Sequence, residues 1–278
     1  MTFDWREHDD DTVEYHFNPR LTIPDAMELL KGMPALAEAA RQDLGGALDV
    51  RYGDRLKETL DAFPAQSDAL GSPPPALIFI HGGYWRMMDK SDHSHVASDM
   101  VKDGVAHISL NYDLCPDVTL DDIVDEMRNA IIYIYSNAAD LGVDENRLFL
   151  SGHSAGGQQV ARMCAAGVLP EDVASRLGHV MPISPVADLR PLLKTSMNQQ
   201  LGLDAAMAES ESPVLQPAPS CKTTLWVGAE ERPAFLDQAR WLAEAWGAPL
   251  EIAPGAHHFD VIEPLADPAS AMVARLLG

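Results

Sequence analysis

Residues 152–156 spell Gly-His-Ser-Ala-Gly, a G-x-S-x-G pentapeptide that constrains this chain more than any other segment. The largely apolar run at 147–151 predicts a buried strand before it, and good helix formers at 158–166 predict a helix after it. In that setting the serine occupies a sharp strand-to-helix turn, which exposes its hydroxyl and requires small neighbours. The pattern therefore predicts Ser154 as a nucleophile, with an inert glycine-serine turn as the alternative.

Apolar and alternating runs along the rest of the chain predict one sheet. Two early runs, 48–52 and 58–63, have a short connection and favour an antiparallel edge. The later predicted strands alternate with predicted helices, which indicates an α/β fold, a mostly parallel, doubly wound sheet with helices on both faces. The strands are predicted at 76–80, 105–110, 147–151, 180–184, 223–227 and 250–253, and the helices at 120–139, 158–166, 234–246 and 269–277.

Two segments lie outside this alternation. Residues 1–47 predict a peripheral helical extension, with helices at 25–31 and 36–43 and a stop at the following glycine pair. Residues 185–219 hold several prolines and no predicted strand, so we expect a short lid over the carboxyl ends of the strands, where open α/β sheets bind ligands. A helical excursion that only covers the sheet is the alternative. The whole chain, 1–278, is expected to form a single domain.

Composition excludes several functional classes. The formal net charge of −22 disfavours binding to nucleic acid and to anionic membranes. No apolar stretch is long enough to span a bilayer, and the polar amino terminus does not resemble a secretory signal. The three scattered cysteines argue against a disulfide framework. We therefore expect a cytoplasmic protein with a small-molecule substrate, without a nucleic-acid or membrane partner, and we leave a homodimer open.

A nucleophilic serine needs a base to take its proton and a carboxylate to orient that base. In this chain order, both should follow the serine in loops after late strands. The loop after 223–227 carries Glu230 and Glu231, and the loop after 250–253 carries His257 and His258. The pattern predicts one glutamate and one histidine as partners of the serine and leaves the choice within each pair open.

The predicted strand at 76–80 runs directly into His-Gly-Gly-Tyr-Trp at 81–85. Paired glycines after a strand let backbone N–H groups turn toward a bound oxygen, and Ala155 adds an N–H at a helix start. Gly83, Tyr84 and Ala155 are therefore the predicted oxyanion-hole donors. Tyr84, Trp85 and His153 are the tentative substrate contacts; in the alternative, Trp85 packs under the loop and His153 is a packing residue.

No cofactor and no metal site are expected. His93 and His95 form an H-x-H pair, but no third ligand follows at a suitable spacing.

The H-G-G-Y-W segment at 81–85 resembles the H-G-G-x-W motif of the arylformamidases (kynurenine formamidases), α/β-hydrolases that remove the formyl group from N-formylkynurenine in tryptophan breakdown. Residues 111–120 are similar to that family's Y-D-x-x-P…T-L stretch. Residues 51–64 resemble its Y-G…L-D-x-F-x-P hairpin, and residues 15–20 resemble its amino-terminal segment. The matches extend over most of the chain.

The resemblance implies an α/β-hydrolase fold and assigns roles residue by residue. The nucleophile is Ser154. The family's acid lies four residues before a phenylalanine, which selects Glu231 through Phe235, although the family has aspartate at this position. The family's histidine directly precedes F-x-x-x-E, which selects His258.

We therefore expect a serine hydrolase that cleaves a small amide or ester through an acyl-enzyme. An aryl formamide such as N-formylkynurenine is the expected substrate. A general short-chain carboxylesterase is the alternative within the same class, and a non-catalytic α/β-hydrolase-like binding protein is the alternative from another class.

Overall fold

The computed structural model describes residues 2–66 and 72–278, and eight of their segments form one sheet. The strands are Ala47–Arg51 (β1), Thr59–Phe63 (β2), Ala76–Ile80 (β3), Ala106–Leu110 (β4), Leu148–His153 (β5), Leu177–Ile183 (β6), Leu225–Gly228 (β7) and Leu250–Ala253 (β8). Across the sheet they lie in the order β1-β2-β4-β3-β5-β6-β7-β8. Every predicted strand is present, with its ends within three residues of the predicted ones.

Among the eight strands, β2 alone runs against the others. It pairs antiparallel with both β1 and β4, and the remaining pairings of the described sheet are parallel. The prediction of a mostly parallel sheet with an antiparallel edge is confirmed.

Helices precede β1, occupy the connections from β3 onward and follow β8. They are Asp10–Phe17 (α1), Pro19–Thr22 (α2), Ala26–Leu44 (α3), Ser98–Lys102 (α4), Leu120–Ser136 (α5), Ala155–Met163 (α6), Glu171–Ala174 (α7), Asn198–Leu201 (α8), Ala205–Ser210 (α9), Pro233–Trp246 (α10) and Ala271–Leu277 (α11). Short 3₁₀ helices lie at Trp5–Glu7, Lys90–Ala97, Arg190–Lys194, Pro213–Leu215 and Glu263–Ala266. Within the described ranges, none of these helices combines the length and apolarity needed to cross a bilayer.

Both faces of the sheet are covered, as β3 illustrates. Its Ile78 and Ile80 belong to a core cluster that includes buried side chains of α5. Its Leu77 and Phe79 point the other way and belong to a second cluster that includes α11. Successive side chains of a strand face opposite sides, so a strand between two helical layers is apolar at every position.

The amino-terminal helices differ from the prediction in two ways. One continuous helix, α3, replaces the two that were expected, and Pro34 lies inside it. A proline in a helix interior removes one hydrogen bond and costs about 3 kcal/mol. The buried side chains of Ala37, Ala40 and Leu44 lie after the proline and anchor the second half of the helix. Gly45, with φ of 62°, ends it as predicted.

The extension at residues 1–47 is also not peripheral, so that part of the prediction is wrong. Phe3, Val13 and Phe17 are buried in the main core cluster. The backbone N–H of Phe3 donates to the buried carboxylate of Asp237 in α10. Segments far apart in sequence therefore pack together here, which local patterns do not reveal.

Residues 185–219 are helical without a strand, as predicted. Val186, Leu189 and Leu192 in this segment are fully buried in the core. Of its residues, only Met197 lines the cavity described below. Most of the segment therefore packs on the body of the protein, and its role as a lid stays a prediction.

Candidate active site

Ser154 lies in the turn between β5 and α6, with φ of 58° and ψ of −115°. A positive φ is uncommon for a residue with a side chain and matches the sharp turn predicted from the sequence. A Cβ on Gly152 would lie 2.7 Å from the carbonyl oxygen of Gly156, and a Cβ on Gly156 would lie 2.1 Å from that of Ile80. The backbone packing at the turn therefore requires glycine on both sides of the serine.

A hydrogen-bonded chain of three side chains begins at this serine. The Ser154 hydroxyl lies 3.1 Å from Nε2 of His258. On the other side of the ring, Nδ1 of His258 lies 2.6 Å from Oε2 of Glu231. All three side chains are buried. In this arrangement the imidazole can take the hydroxyl proton while the carboxylate holds the ring's orientation.

Glu231 follows β7 and is held by two further donors. Its Oε1 accepts a hydrogen bond from the backbone N–H of Gly228 at 3.0 Å and another from the hydroxyl of Ser184. The neighbouring Glu230, the alternative acid, is exposed. The structure thus brings Glu231, and not Glu230, to the histidine.

The alternative histidine, His257, has a different set of partners. Its Nδ1 accepts hydrogen bonds from the backbone N–H groups of Phe259 and Asp260, at 3.2 and 3.3 Å. Its own backbone N–H donates to the Asp260 carboxylate at 2.6 Å. His257 therefore closes the turn that presents His258 to the serine.

The loop after β3 lies against the nucleophile turn. A Cβ on Gly82 would meet the His153 carbonyl oxygen at 2.9 Å and the Ser154 Cβ at 3.3 Å. Gly83 and Tyr84 have φ of 101° and 50°. The N–H groups of Gly83, Tyr84 and Ala155 donate no hydrogen bond to any atom of residues 2–66 and 72–278. Three uncommitted donors beside a serine hydroxyl form the kind of site that stabilises an oxyanion.

Two aromatic rings brace this loop. The ring of His81 stacks on that of Tyr112 with centroids 4.3 Å apart. Nδ1 of His81 donates to the Gly82 carbonyl at 2.8 Å, and the Tyr112 hydroxyl donates to the His81 carbonyl at 2.9 Å. Burial lowers the pKa of His81 to about 4, so the ring is neutral at pH 7. The loop carbonyls are thereby held in place and its N–H groups are left free.

The structure separates the two aromatic residues that end the loop. Tyr84 lines the cavity beside Ser154, and its hydroxyl donates to the carbonyl of Phe17. Trp85 is fully buried and does not line the cavity; its Nε1 donates to Oε1 of Gln158 in α6 at 3.2 Å. The assignment of Trp85 as a substrate contact is therefore corrected. The alternative, packing under the loop, describes its position.

His153, the third tentative substrate contact, lines the cavity. Its ring centroid lies 4.7 Å from that of His258. Burial and the neighbouring His258 lower its pKa well below the usual value. A neutral ring next to the proposed base does not compete with it for a proton.

The cavity in front of Ser154 has about 610 Å³ of empty space, including open solvent at its mouth. Its walls are mainly apolar and rich in methionine, a side chain that adapts to irregular ligands. The apolar lining residues are Pro19, Leu30, Met33, Met87, Met88, Met197, Phe259 and Ile262. The remaining lining includes two arginines, Arg20 and Arg86.

Sequence reasoning missed much of this wall. Five lining residues, Asn18, Pro19, Arg20, Leu30 and Met33, come from the amino-terminal segment. The signal available for Asn18, Pro19 and Arg20 was the resemblance of residues 15–20 to the arylformamidase amino terminus; no sequence signal marked Leu30 or Met33. Reasoning from strands and loops alone assigned this segment to the periphery.

The structure separates the positions of the two histidines of the H-x-H pair. His93 is buried and lines the cavity, and its ring lies 6.3 Å from that of His95. Within residues 2–66 and 72–278, no group of three or more His, Cys, Asp or Glu side chains could hold a metal ion.

Known proteins resemble this chain along nearly its whole length. A family model described as BD-FAE matches residues 63–182. The kynurenine formamidase of Danio rerio is 26% identical over 99% of this chain and 97% of its own length. That of Salmo salar is 27% identical over 95% and 94%. A solved structure from Silicibacter sp., described as a candidate thioesterase, is 42% identical over 97% of this chain and 98% of its own, with a TM-score of 0.86.

The chain belongs to the arylformamidase-like α/β-hydrolases. The fold and the family expected from the H-G-G-Y-W resemblance are thereby confirmed. Members of this family are hydrolases, so the protein is an α/β-hydrolase that acts on an ester or an amide.

Proposed function

We propose that this protein is an arylformamidase that removes the formyl group from N-formylkynurenine or a related aryl formamide. The hydrogen-bonded chain from Ser154 through His258 to Glu231 is the observation that supports the chemistry, together with three nearby backbone N–H groups that have no acceptor among the described residues. The relatives named kynurenine formamidase support the substrate, because they match 95–99% of this chain.

The proposed reaction has two halves. Ser154 Oγ attacks the formyl carbon while His258 takes the hydroxyl proton, and Glu231 stabilises the resulting imidazolium. The N–H groups of Gly83, Tyr84 and Ala155 bind the oxyanion. His258 then gives its proton to the departing aryl nitrogen, which leaves a formyl ester on the serine. In the second half, His258 takes a proton from water as the resulting hydroxide attacks the ester carbon. The C–O bond to the serine then breaks, His258 returns the proton to Ser154 Oγ, and formic acid leaves and ionises to formate in solvent.

The cavity supports an aromatic leaving group. Met33, Met87, Met88 and Phe259 give it an apolar wall next to the nucleophile. Apolar side chains and thioether sulfurs pack favourably against aromatic rings. The formyl group itself is small, so most of the cavity is left for the amine part of the substrate.

Ester or thioester hydrolysis is the second candidate function. It uses the same nucleophile, base and oxyanion site, and the Silicibacter relative is described as a candidate thioesterase. The buried hydrogen-bonded Ser-His-Glu side chains argue against a non-catalytic role, because ligand binding alone does not require them.

A side-by-side rate comparison tests the proposal. Purified protein is assayed on N-formylkynurenine, 4-nitrophenyl acetate and an acetyl thioester, and we expect the highest kcat/KM on the formamide. Efficient turnover of the ester or thioester with none of the formamide would refute the arylformamidase assignment.

A fluorophosphonate probe tests the nucleophile separately. We expect it to label the wild type but not Ser154→Ala. Folded wild-type protein that takes up no label would refute the serine mechanism.

A cytoplasmic location stays a prediction, supported by three cysteines that are free thiols in the structure.

A further inference from the structure

Two arginines in the cavity wall lack, among the residues that the structure describes, the carboxylate partners that most cations of this chain have. Arg20 and Arg86 both line the cavity that contains Ser154. The chain has 42 acidic and 20 basic residues, so carboxylates are abundant. Yet neither arginine forms an ion pair with any carboxylate of residues 2–66 and 72–278; their side chains contact Met87 and Gln200 instead.

The guanidinium group of Arg86 in particular has few hydrogen-bond acceptors among the described residues. One of its terminal nitrogens donates to Oε1 of Gln200, while its Nε is buried with no hydrogen-bond partner among the described residues. Burial, together with the nearby positive charge of Arg20, lowers the pKa of Arg86. Arg20 is exposed and Arg86 is partly buried. Two neighbouring guanidinium groups repel each other, and an anion that binds to both stabilises them.

The carboxylate of Glu14 lies near Arg86 but is engaged elsewhere. Its Oε2 accepts hydrogen bonds from the backbone N–H and the hydroxyl of Ser196, at 2.8 and 3.1 Å. Its Oε1 accepts from Nδ2 of Asn18 at 3.1 Å. The Glu14 carboxylate is therefore bound by donors other than the two arginines, although its charge acts on Arg86.

We propose that Arg20 and Arg86 bind a carboxylate on the substrate and so select acidic substrates. The proposal rests on the arylformamidase assignment in one respect: since the acyl group is only a formyl, the carboxylate belongs to the departing aryl amine. A planar guanidinium donates two parallel hydrogen bonds to a carboxylate, and a pair of them fixes the far end of the substrate. The reacting carbonyl is then held at Ser154.

A matched substrate pair tests this selectivity. N-formylkynurenine and its α-carboxamide share the formamide and the ring and differ in the carboxylate. We expect the wild type to prefer the acid at least tenfold in kcat/KM, mostly through KM. In Arg20→Gln and Arg86→Gln this preference should fall at least fivefold each, and the double variant should lose it.

Arg51→Gln is the matched control. Arg51 is exposed on β1, has no carboxylate partner among the described residues, and donates to the carbonyl oxygens of Asp54 and Arg55. Arg51→Gln changes the net charge by the same amount as Arg20→Gln or Arg86→Gln, but it should leave the preference for the acid over the carboxamide unchanged. Turnover of the carboxamide shows that a variant is folded. No preference in the wild type, or an undiminished preference in the double variant, would overturn the proposal.

An ester pair separates this proposal from the arylformamidase assignment. The substrates are 3-(2-acetoxyphenyl)propionate and its amide. If no formamide reacts but the acidic ester is preferred in an arginine-dependent way, the carboxylate site stands and the formamidase assignment fails. If both formamides react equally well, the assignment stands and the carboxylate site fails.

Discussion

Replacing Glu231 by glutamine tests the acid of the proposed triad. Its two oxygens accept from three donors: Nδ1 of His258 at 2.6 Å, the Gly228 N–H at 3.0 Å and the Ser184 hydroxyl. Glutamine offers one acceptor oxygen and one NH₂ group. In either orientation the NH₂ group therefore faces an N–H donor, from His258 or from Gly228.

The magnitude of the defect follows from these contacts. With NH₂ toward the ring, Nδ1 of His258 must accept, so Nε2 carries the proton and cannot take another from Ser154. The reverse orientation leaves the buried Gly228 N–H unsatisfied. A hydrogen bond to a charged group contributes about 1.5–3 kcal/mol and a buried unsatisfied group costs about 1–3 kcal/mol. Their sum, about 2.5–6 kcal/mol, corresponds to roughly a 10²- to 10⁴-fold loss in kcat.

The assay is kcat on the best substrate, with thermal melting to verify folding. Glu230→Gln is the matched control, since Glu230 is exposed one residue away, and it should retain kcat within about twofold of the wild type. Glu231→Asp keeps the charge with a shorter reach and should fall between the two. A folded Glu231→Gln protein with kcat within tenfold of the wild type would refute the reasoning.

Three further predictions concern stability. Burial lowers the pKa of His107 to about 3, whereas the unfolded chain protonates near 6.5, so stability present above pH 6.5 is lost as the pH falls toward 3. Between pH 7 and pH 5 the free energy of unfolding, measured by urea denaturation, should fall by about 2 kcal/mol less in His107→Gln than in the wild type. An equal fall in both proteins would contradict this. Gly156→Ala should be inactive and less stable, because its Cβ would lie 2.1 Å from the Ile80 oxygen. Gly32→Ala, in α3 with nothing within 4 Å, should raise the free energy of unfolding by about 0.5–1 kcal/mol. Thermal melts and kcat measure both variants, and an active Gly156→Ala or a destabilised Gly32→Ala would count against the packing argument.

Strand positions were the most predictable part of the fold. β3 and β8 begin and end at the predicted residues, because each is a short run bounded by turn-forming residues. β6 begins three residues earlier than predicted, at Leu177, since its first residues include Gly178 and His179, which do not form an apolar pattern. α3 continues through Pro34, where a local rule predicted a break. In these places tertiary packing outweighed local preference.

The predicted substrate contacts also show that local sequence patterns do not determine tertiary packing. Tyr84 and Trp85 are adjacent in the sequence, yet one lines the cavity and the other is sealed beneath the loop. Both residues have a positive φ, 50° and 54°, and their rings lie edge-to-face with centroids 6.1 Å apart. Nothing in the residue types distinguishes these two outcomes.

By itself, the sequence determined the alternation of strands and helices, the turn that presents Ser154, and the two late loops that carry the glutamates and histidines. These features are local, because backbone preference and side-chain size act over a few residues. Residue types and spacing left one choice open within each pair, the family resemblance selected Glu231 and His258, and the tertiary structure brings these two to the serine. It also decided that the amino-terminal segment walls the cavity and that Arg20 and Arg86 lie there without a carboxylate partner among the described residues. These contacts join residues about a hundred positions apart, such as Ser154 and His258, whose separation depends on how the whole sheet is packed.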